Sequence, residues 1–275
     1  MTLELEDFHY FRTLLQRKAA IVLEDEKAYL VESRLSALSH REGFSSLNAL
    51  AMHMRSCGGD DLQRKVVEAM TTNETSFFRD GHPFEGLRLI GFPELIRRRG
   101  ADRSLNVWCA ACSTGQEPYS IAILLREHFP LLERWNICII ASDLSTEVLE
   151  RARQGGYCNA EINRGLSSRL LDKYFRRQGK DWQVRDDLRA MVEFRPINLI
   201  DAWPALPSLD LILLRNVLIY FDVPTKRTIL EKARKVLRPE GYLLLGGSET
   251  TLNLHNGYDR VAIGPSIAYQ PRAAV

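Results

Sequence analysis

The sequence predicts an α/β domain built on a mainly parallel sheet and preceded by a small all-helical domain. Three observations carry that prediction. Through residues 1–70, apolar side chains recur at helical spacing with no alternation of the strand kind. From Leu105 onward, short apolar runs at 105–111, 136–142, 191–195, 209–214 and 241–246 alternate with helical segments. The tail Arg260 to Gln270 reads as two strands about Gly264-Pro265, an antiparallel hairpin that would close one edge of a parallel sheet.

In the first segment, Phe8, Phe11, Leu14 and Leu15 mark one helical face, and Leu30, Leu35 and Leu38 another with Arg34 at its edge. Ser45-Ser46 and Asp60-Asp61 precede apolar-periodic stretches and are expected to cap helices, with Gly58-Gly59 separating the last two. Residues 71–90 are expected to be a linker, carrying the polar run Thr71-Thr-Asn-Glu-Thr-Ser and then Phe77-Phe-Arg-Asp80. The α/β domain would occupy 91–275. Its first strand, Leu105 to Ala111, leads through the turn Ser113 to Glu117 into a helix with Pro118 in its first turn, where the missing proline N–H costs nothing. The second strand ends on Asp143, and the third is followed by Pro196-Ile-Asn198-Leu199. Leu209-Asp-Leu-Ile-Leu-Leu214 is apolar enough to be covered on both faces, and Arg215, Asn216 and Tyr220 follow it. Asp222 and Pro224 are expected to open a helix running to Leu237, with Pro239-Glu-Gly241 ending it before the strand from Tyr242. A turn at Gly179-Lys180-Asp181 between strand-like flanks predicts a small antiparallel excursion near 174–195.

Composition narrows the function. The 275 residues are 45% hydrophobic and 26% charged, the balance of a chain that buries a sizeable core. No apolar run approaches a bilayer-spanning length and the start lacks a signal-peptide core, so we expect a cytoplasmic protein without membrane insertion. A net charge of +2 argues against nucleic-acid binding. The charge is unevenly placed: residues 151–195 hold 11 Lys/Arg against 6 Asp/Glu, whereas 1–70 hold 9 against 11. The local basic surplus points to a protein partner with an acidic face. Cys109-Ala-Ala-Cys112 matches C-x-x-C, but it falls in a strand, has no second pair, and the six histidines lack ligand spacing. It reads as small packed residues, and no metal is expected.

The chemistry concentrates where strands end, the place at which open α/β sheets bind ligands. A strand, a small-residue turn, a helix, and a second strand ending in an acid form the first half of a nucleotide-binding unit, the acid taking ribose hydroxyls. The turn has one glycine, Gly115, and no Lys or Arg lies between Ala110 and Tyr119. A pyrophosphate would require closer backbone approach and more glycines. The turn suits a nucleoside without phosphates, of which S-adenosylmethionine is the obvious case. The fold alone hosts many functions, so the motifs decide.

Five of them, TTNETSFFRD, VWCAACSTGQEPYSIA, IIASDLS, INL and RNVLIYFD, occur in order from residue 71 to 222. Together they resemble the chemotaxis receptor methyltransferases of the CheR type, protein-glutamate O-methyltransferases, over essentially the whole chain. The resemblance implies a Rossmann-like S-adenosylmethionine-dependent methyltransferase domain with S-adenosylhomocysteine as product. It places Asn73, Thr75 and Arg79 against the cofactor from the linker. Glu117, Asp143, Asn198 and Leu199 would line ribose and adenine, and Arg215 and Asn216 the methionine end. Arg79 and Tyr220 would border the reacting methyl group as catalytic residues. The implied partners are the cytoplasmic helices of a chemoreceptor, gripped in part by the helical domain; a monomer is expected by default, because the sequence shows no exposed coiled coil or apolar patch. Some members tether a receptor's C-terminal pentapeptide on the small sheet. Here the short turn Gln178 to Trp182, with its one glycine, argues against that tether. At the level of residues two other readings stay open: a cofactor-binding regulatory module, and a methyltransferase of other acceptors.

Overall fold

The computed structural model describes residues 3–273. Two units separate by contact density: one comprises the residues up to Thr72 together with Tyr220–Thr225, the other Asn73–Ile219 and Lys226 onward. The first is built from α1 (Leu5–Ala19), α2 (Ala28–Arg41), α3 (Leu47–Cys57) and α4 (Asp60–Met70). Phe11, Leu15, Val31, Leu35, Leu50 and Val66 are fully buried between them, so the stripe of apolar side chains along each helix is what the unit buries. Ser46 caps α3, its hydroxyl accepting from Ala49 N–H at 3.1 Å. The expected aspartate cap of α4 is instead Gly59. Asp60 and Asp61 lie inside the first turn, where the helix dipole favours negative charge, and Asp61 pairs with Arg64 three residues on at 2.5 Å. Arg34 is drawn off the surface of α2: its guanidinium donates to the carbonyl of Met70 at 2.6 Å and to Thr72 Oγ1 at 3.0 Å, satisfying the C-terminal end of α4.

The second unit opens with a helical run, α5 (His82–Gly86), a π-turn over Leu87–Gly91, and α6 (Phe92–Arg99). There follow β1 (Ser104–Ala110), α7 (Gln116–His128), β2 (Asn136–Asp143), α8 (Thr146–Gln154), β3 (Gly156–Tyr157), α9 (Asn159–Ile162), α10 (Ser168–Tyr174), β4 (Phe175–Gln178), β5 (Asp181–Val184), α11 (Asp186–Arg189), β6 (Val192–Pro196), β7 (Leu209–Leu214), α12 (Val223–Val236), β8 (Leu237–Leu245), β9 (Tyr258–Ile263) and β10 (Ser266–Pro271). The main sheet has the order β6-β2-β1-β7-β8-β10-β9. Its first five strands are parallel, and β10 runs antiparallel to both β8 and β9. From β1 the sheet grows one way through β2 and the other through β7, so strand order reverses beside β1 and opens a crevice at its carboxyl end. β7 is buried at every position, its apolar run interrupted only by Asp210, which pairs with Arg99 and Arg238.

Two expectations shift. The strand expected from Tyr242 begins five residues earlier, at Leu237, and Pro239-Glu-Gly241 lies within it. The ladder absorbs them as an irregularity, Leu209 facing Leu237 but Leu211 facing Tyr242, which is where a proline inside a sheet is tolerated. The small antiparallel sheet has three strands in the order β3-β5-β4 and draws one of them from Gly156–Tyr157, ahead of the expected segment. Residues 192–196 form the strand expected at 191–195 and pair with β2 in the main sheet, so the excursion ends before them. Phe77, Tyr157 and Phe175 meet edge to face, with Phe77 to Tyr157 at 5.0 Å and Phe77 to Phe175 at 5.5 Å. The polar run after Thr72 is thereby packed onto the small sheet.

Candidate active site

Past the end of β1 the chain turns through left-handed backbone at Ala111 (φ 54°), Ser113 (φ 50°) and Gly115 (φ 94°), and Gly115 caps α7. Gly115 needs to be glycine twice over, since an added Cβ would also lie 2.9 Å from Ala152 Cβ. The turn is fixed from three sides. Cys112 N–H donates to the carbonyl of Ser142 at 2.8 Å, Tyr157 hydroxyl donates to the carbonyl of Thr114 at 2.7 Å, and Ser113 hydroxyl donates to the carbonyl of Asn73 at 2.9 Å.

Asp143, buried at the end of β2, faces this turn. Its Oδ2 accepts from Ser113 N–H at 2.9 Å and its Oδ1 from Ser145 N–H at 3.0 Å, which aims the carboxylate across the turn. The carbonyl of Asp143 accepts from Ile197 N–H at 3.1 Å, bringing Asn198 and Leu199 alongside. Asn198 is held in turn by Asp201 at 3.0 Å and by Ile200 N–H at 3.3 Å, while Leu199 is buried. Asn73, Ser113, Asp143 and the Asn198-Leu199 pair therefore form one constellation. Asn73, Thr75, Thr114 and Gln116 share the wall of an adjoining cleft of about 380 Å³.

Glu117, in the first turn of α7, belongs to a second constellation. The guanidinium of Arg215, 1% exposed, donates to Glu117 Oε2 at 2.8 Å, to Asp80 Oδ2 at 2.7 Å and to the carbonyl of Arg79 at 3.0 Å. Burial pushes the Glu117 carboxyl above its ordinary range, against the pull of Arg215. Arg79 itself is half-buried and donates to the carbonyl of Glu74 at 3.0 Å. Asn216 adopts left-handed backbone (φ 58°) and its N–H donates to Glu249 at 2.8 Å. Tyr220 ends the one-turn helix Leu218–Tyr220, and its carbonyl accepts from Val22 N–H at 3.5 Å.

Two groups at these strand ends escaped the sequence reading. Glu249 receives the N–H groups of Gly246 at 2.7 Å, Asn216 at 2.8 Å and Ile219 at 3.2 Å, so one carboxylate shapes the loop after β7. Trp108 donates to Ser142 Oγ at 2.9 Å and meets Trp203 edge to face at 4.7 Å. Cys109 and Cys112 are buried, and burial pushes both thiols well above their ordinary range, so neither is a nucleophile.

The CheR methyltransferase, SAM binding domain, matches residues 73–264, and the CheR methyltransferase, all-alpha domain, matches residues 6–71. The chain is 42% identical over 274 residues to chemotaxis protein methyltransferase 1 of Pseudomonas aeruginosa, covering 97% of this chain and 98% of the relative. It is 41% identical to a chemotaxis protein methyltransferase of Pseudomonas putida with the same coverage. To that of Vibrio parahaemolyticus it is 38% identical, with 98% of each chain covered. Fold and matches together define an S-adenosylmethionine-dependent methyltransferase. The chain belongs to the CheR family of chemotaxis methyltransferases.

The residues present fit that cofactor. The cradle offers Asp143 to a diol and an amide at Asn198, and carries no Lys or Arg on the turn for a phosphate.

Proposed function

We propose that this protein esterifies glutamate side chains on the cytoplasmic helices of a chemoreceptor, as a protein-glutamate O-methyltransferase acting in the cytoplasm. S-adenosylmethionine supplies an electrophilic methyl group and leaves as S-adenosylhomocysteine. Asp143 would take the ribose hydroxyls, Asn198 and Leu199 the adenine, and Asn73 and Thr75 would close over it from the loop. Glu117 borders the cradle from α7, and the Arg215-Asn216 segment borders the methionine end.

The observation that carries this reading is the half-buried Arg79, its guanidinium on the carbonyl of Glu74 and its own carbonyl bound by Arg215 beside Glu117. A glutamate acceptor is already ionised near neutral pH. The protein has only to hold it in line and keep water away. Arg79 supplies a guanidinium for a two-pronged contact with a carboxylate. Tyr220, five residues beyond Arg215, is assigned the exclusion of water.

The test uses the intact protein, tritiated cofactor and a chemoreceptor cytoplasmic fragment. Label that stays on the fragment until mild alkali releases it as methanol supports the reading. Cofactor binding without transfer would replace it with a regulatory module, and alkali-stable label with a different acceptor.

A further inference from the structure

Arg215, its side chain 1% exposed, is enclosed at the ligand end of the second unit. It sits between two carboxylates that belong to different elements. Glu117 is on α7, side chain 12% exposed, whereas Asp80 is on the loop before α5, side chain 39% exposed. The same guanidinium binds the carbonyl of Arg79 at 3.0 Å and lies 5.7 Å from the centre of the Phe84 ring. Its Nε is buried without a hydrogen-bond partner. Removing one partner from such a group leaves an uncompensated buried charge, which is costly.

The segment it grips is a strained turn, closed on itself by Gly81 N–H donating to the carbonyl of Phe78 at 2.9 Å. Phe78 (φ 49°), Asp80 (φ 69°) and Gly81 (φ 63°) all have left-handed backbone, and a bulky residue such as phenylalanine adopts that region only when its surroundings impose it. Contacts from outside the turn anchor it to the rest of the unit: Phe78 N–H donates to Ser120 Oγ on α7 at 2.9 Å, and Arg215 takes both the carbonyl of Arg79 and the carboxylate of Asp80. Arg79 lies between the two strained residues, so its side chain leaves the backbone in a direction that the clamp sets.

We propose that Arg215 is a positioning residue that fixes the strained loop 78–81 to α7 and thereby aims Arg79, an inference that rests on the acceptor role of Arg79 stated above. Asp80 and Glu117 are the two anchors of the clamp, one on the loop and one on the helix. Lysine cannot replace Arg215, because a single ammonium cannot span both carboxylates and the carbonyl with fixed geometry.

Asp80→Asn removes the charge of the loop's side-chain anchor at an exposed position and leaves the Arg79 carbonyl contact in place, and a thermal melt checks that it folds. It should lower kcat about tenfold, the scale of a lost charged hydrogen bond, while the Kd for S-adenosylhomocysteine stays within about twofold. The double variant with Arg79→Ala separates the claims. If the clamp works through Arg79, Asp80→Asn costs nothing further once Arg79 is gone. Full additivity of the two losses overturns the clamp and leaves the role of Arg79 standing. An Arg79→Ala protein with unchanged kcat overturns that role, and the clamp's purpose with it. Arg215→Lys should show the same kcat loss as Asp80→Asn; recovery of wild-type turnover by lysine would also count against the clamp.

Discussion

Asp143 shows how a carboxylate that ties the fold together is oriented for the ribose role proposed for it. Each oxygen already accepts a main-chain N–H, one from the turn after β1 and one from its own Ser145, so the group is oriented before any cofactor arrives. Asp143→Ala should weaken S-adenosylmethionine binding by about 1.5–3 kcal/mol, the range of a hydrogen bond to a charged group. Calorimetry checks this, and unchanged affinity would mean that the ribose lies elsewhere. The position of Asp143 was legible in the sequence because an acid ending an apolar run is a local pattern. The partners of Arg215 were not: Asp80 and Glu117 lie 135 and 98 residues away along the chain. Glu249 was hidden for a related reason, since its partners are backbone N–H groups, which no residue type encodes.

Among the elements, α7 connects the cofactor turn to the small sheet. At its last turn Glu127, side chain 6% exposed, accepts from Arg169 at 2.7 Å, from Tyr174 hydroxyl at 2.7 Å and from Lys173, tying α7 to α10. Burial alone would raise its pKa, but these donors outweigh burial and hold the carboxyl at about 2. With the folded pKa depressed, the stability this group contributes is present above the unfolded glutamate value of about 4.3 and is lost as pH falls toward 2. Glu127→Gln should therefore destabilise the protein at pH 7 and approach wild type in acid, as urea unfolding at several pH values would show. An equal loss at every pH would contradict the assignment. Much of the basic surplus of residues 151–195 is met by acids outside that segment, Arg153 pairing with Glu150, Arg164 with Glu74, and Arg169 and Lys173 with Glu127. The β4–β5 turn closes Gln178 onto Asp181 through Gly179 and Lys180. We therefore expect no micromolar binding of a receptor C-terminal pentapeptide in calorimetry, and a clear binding isotherm would reverse that expectation. The main strands were legible because burial on both faces writes continuous apolar runs. β3 was not, being two residues with no pattern, and β8 was shortened because a proline inside a ladder mimics a stop.

At the scale of the molecule, the chain is two units of different character, and the helical one presents little free basic charge. Arg34, which sequence spacing places at the edge of an apolar helical face, is spent on the end of α4, whereas Arg41 is exposed and lies 4.0 Å from Glu42. Arg41→Glu should lower methylation of a receptor fragment without changing cofactor affinity. Arg34→Glu should instead lower the melting temperature, since it strips the α4 carbonyls of their donor. A docking role for Arg34 alone would produce the opposite pattern. The central claim concerns the acceptor atom, and tandem mass spectrometry of a receptor fragment after turnover addresses it most directly. The account predicts added methyl mass on glutamate side chains, removable by mild alkali. Methyl mass on lysine, arginine or main-chain nitrogen, stable to alkali, would contradict it.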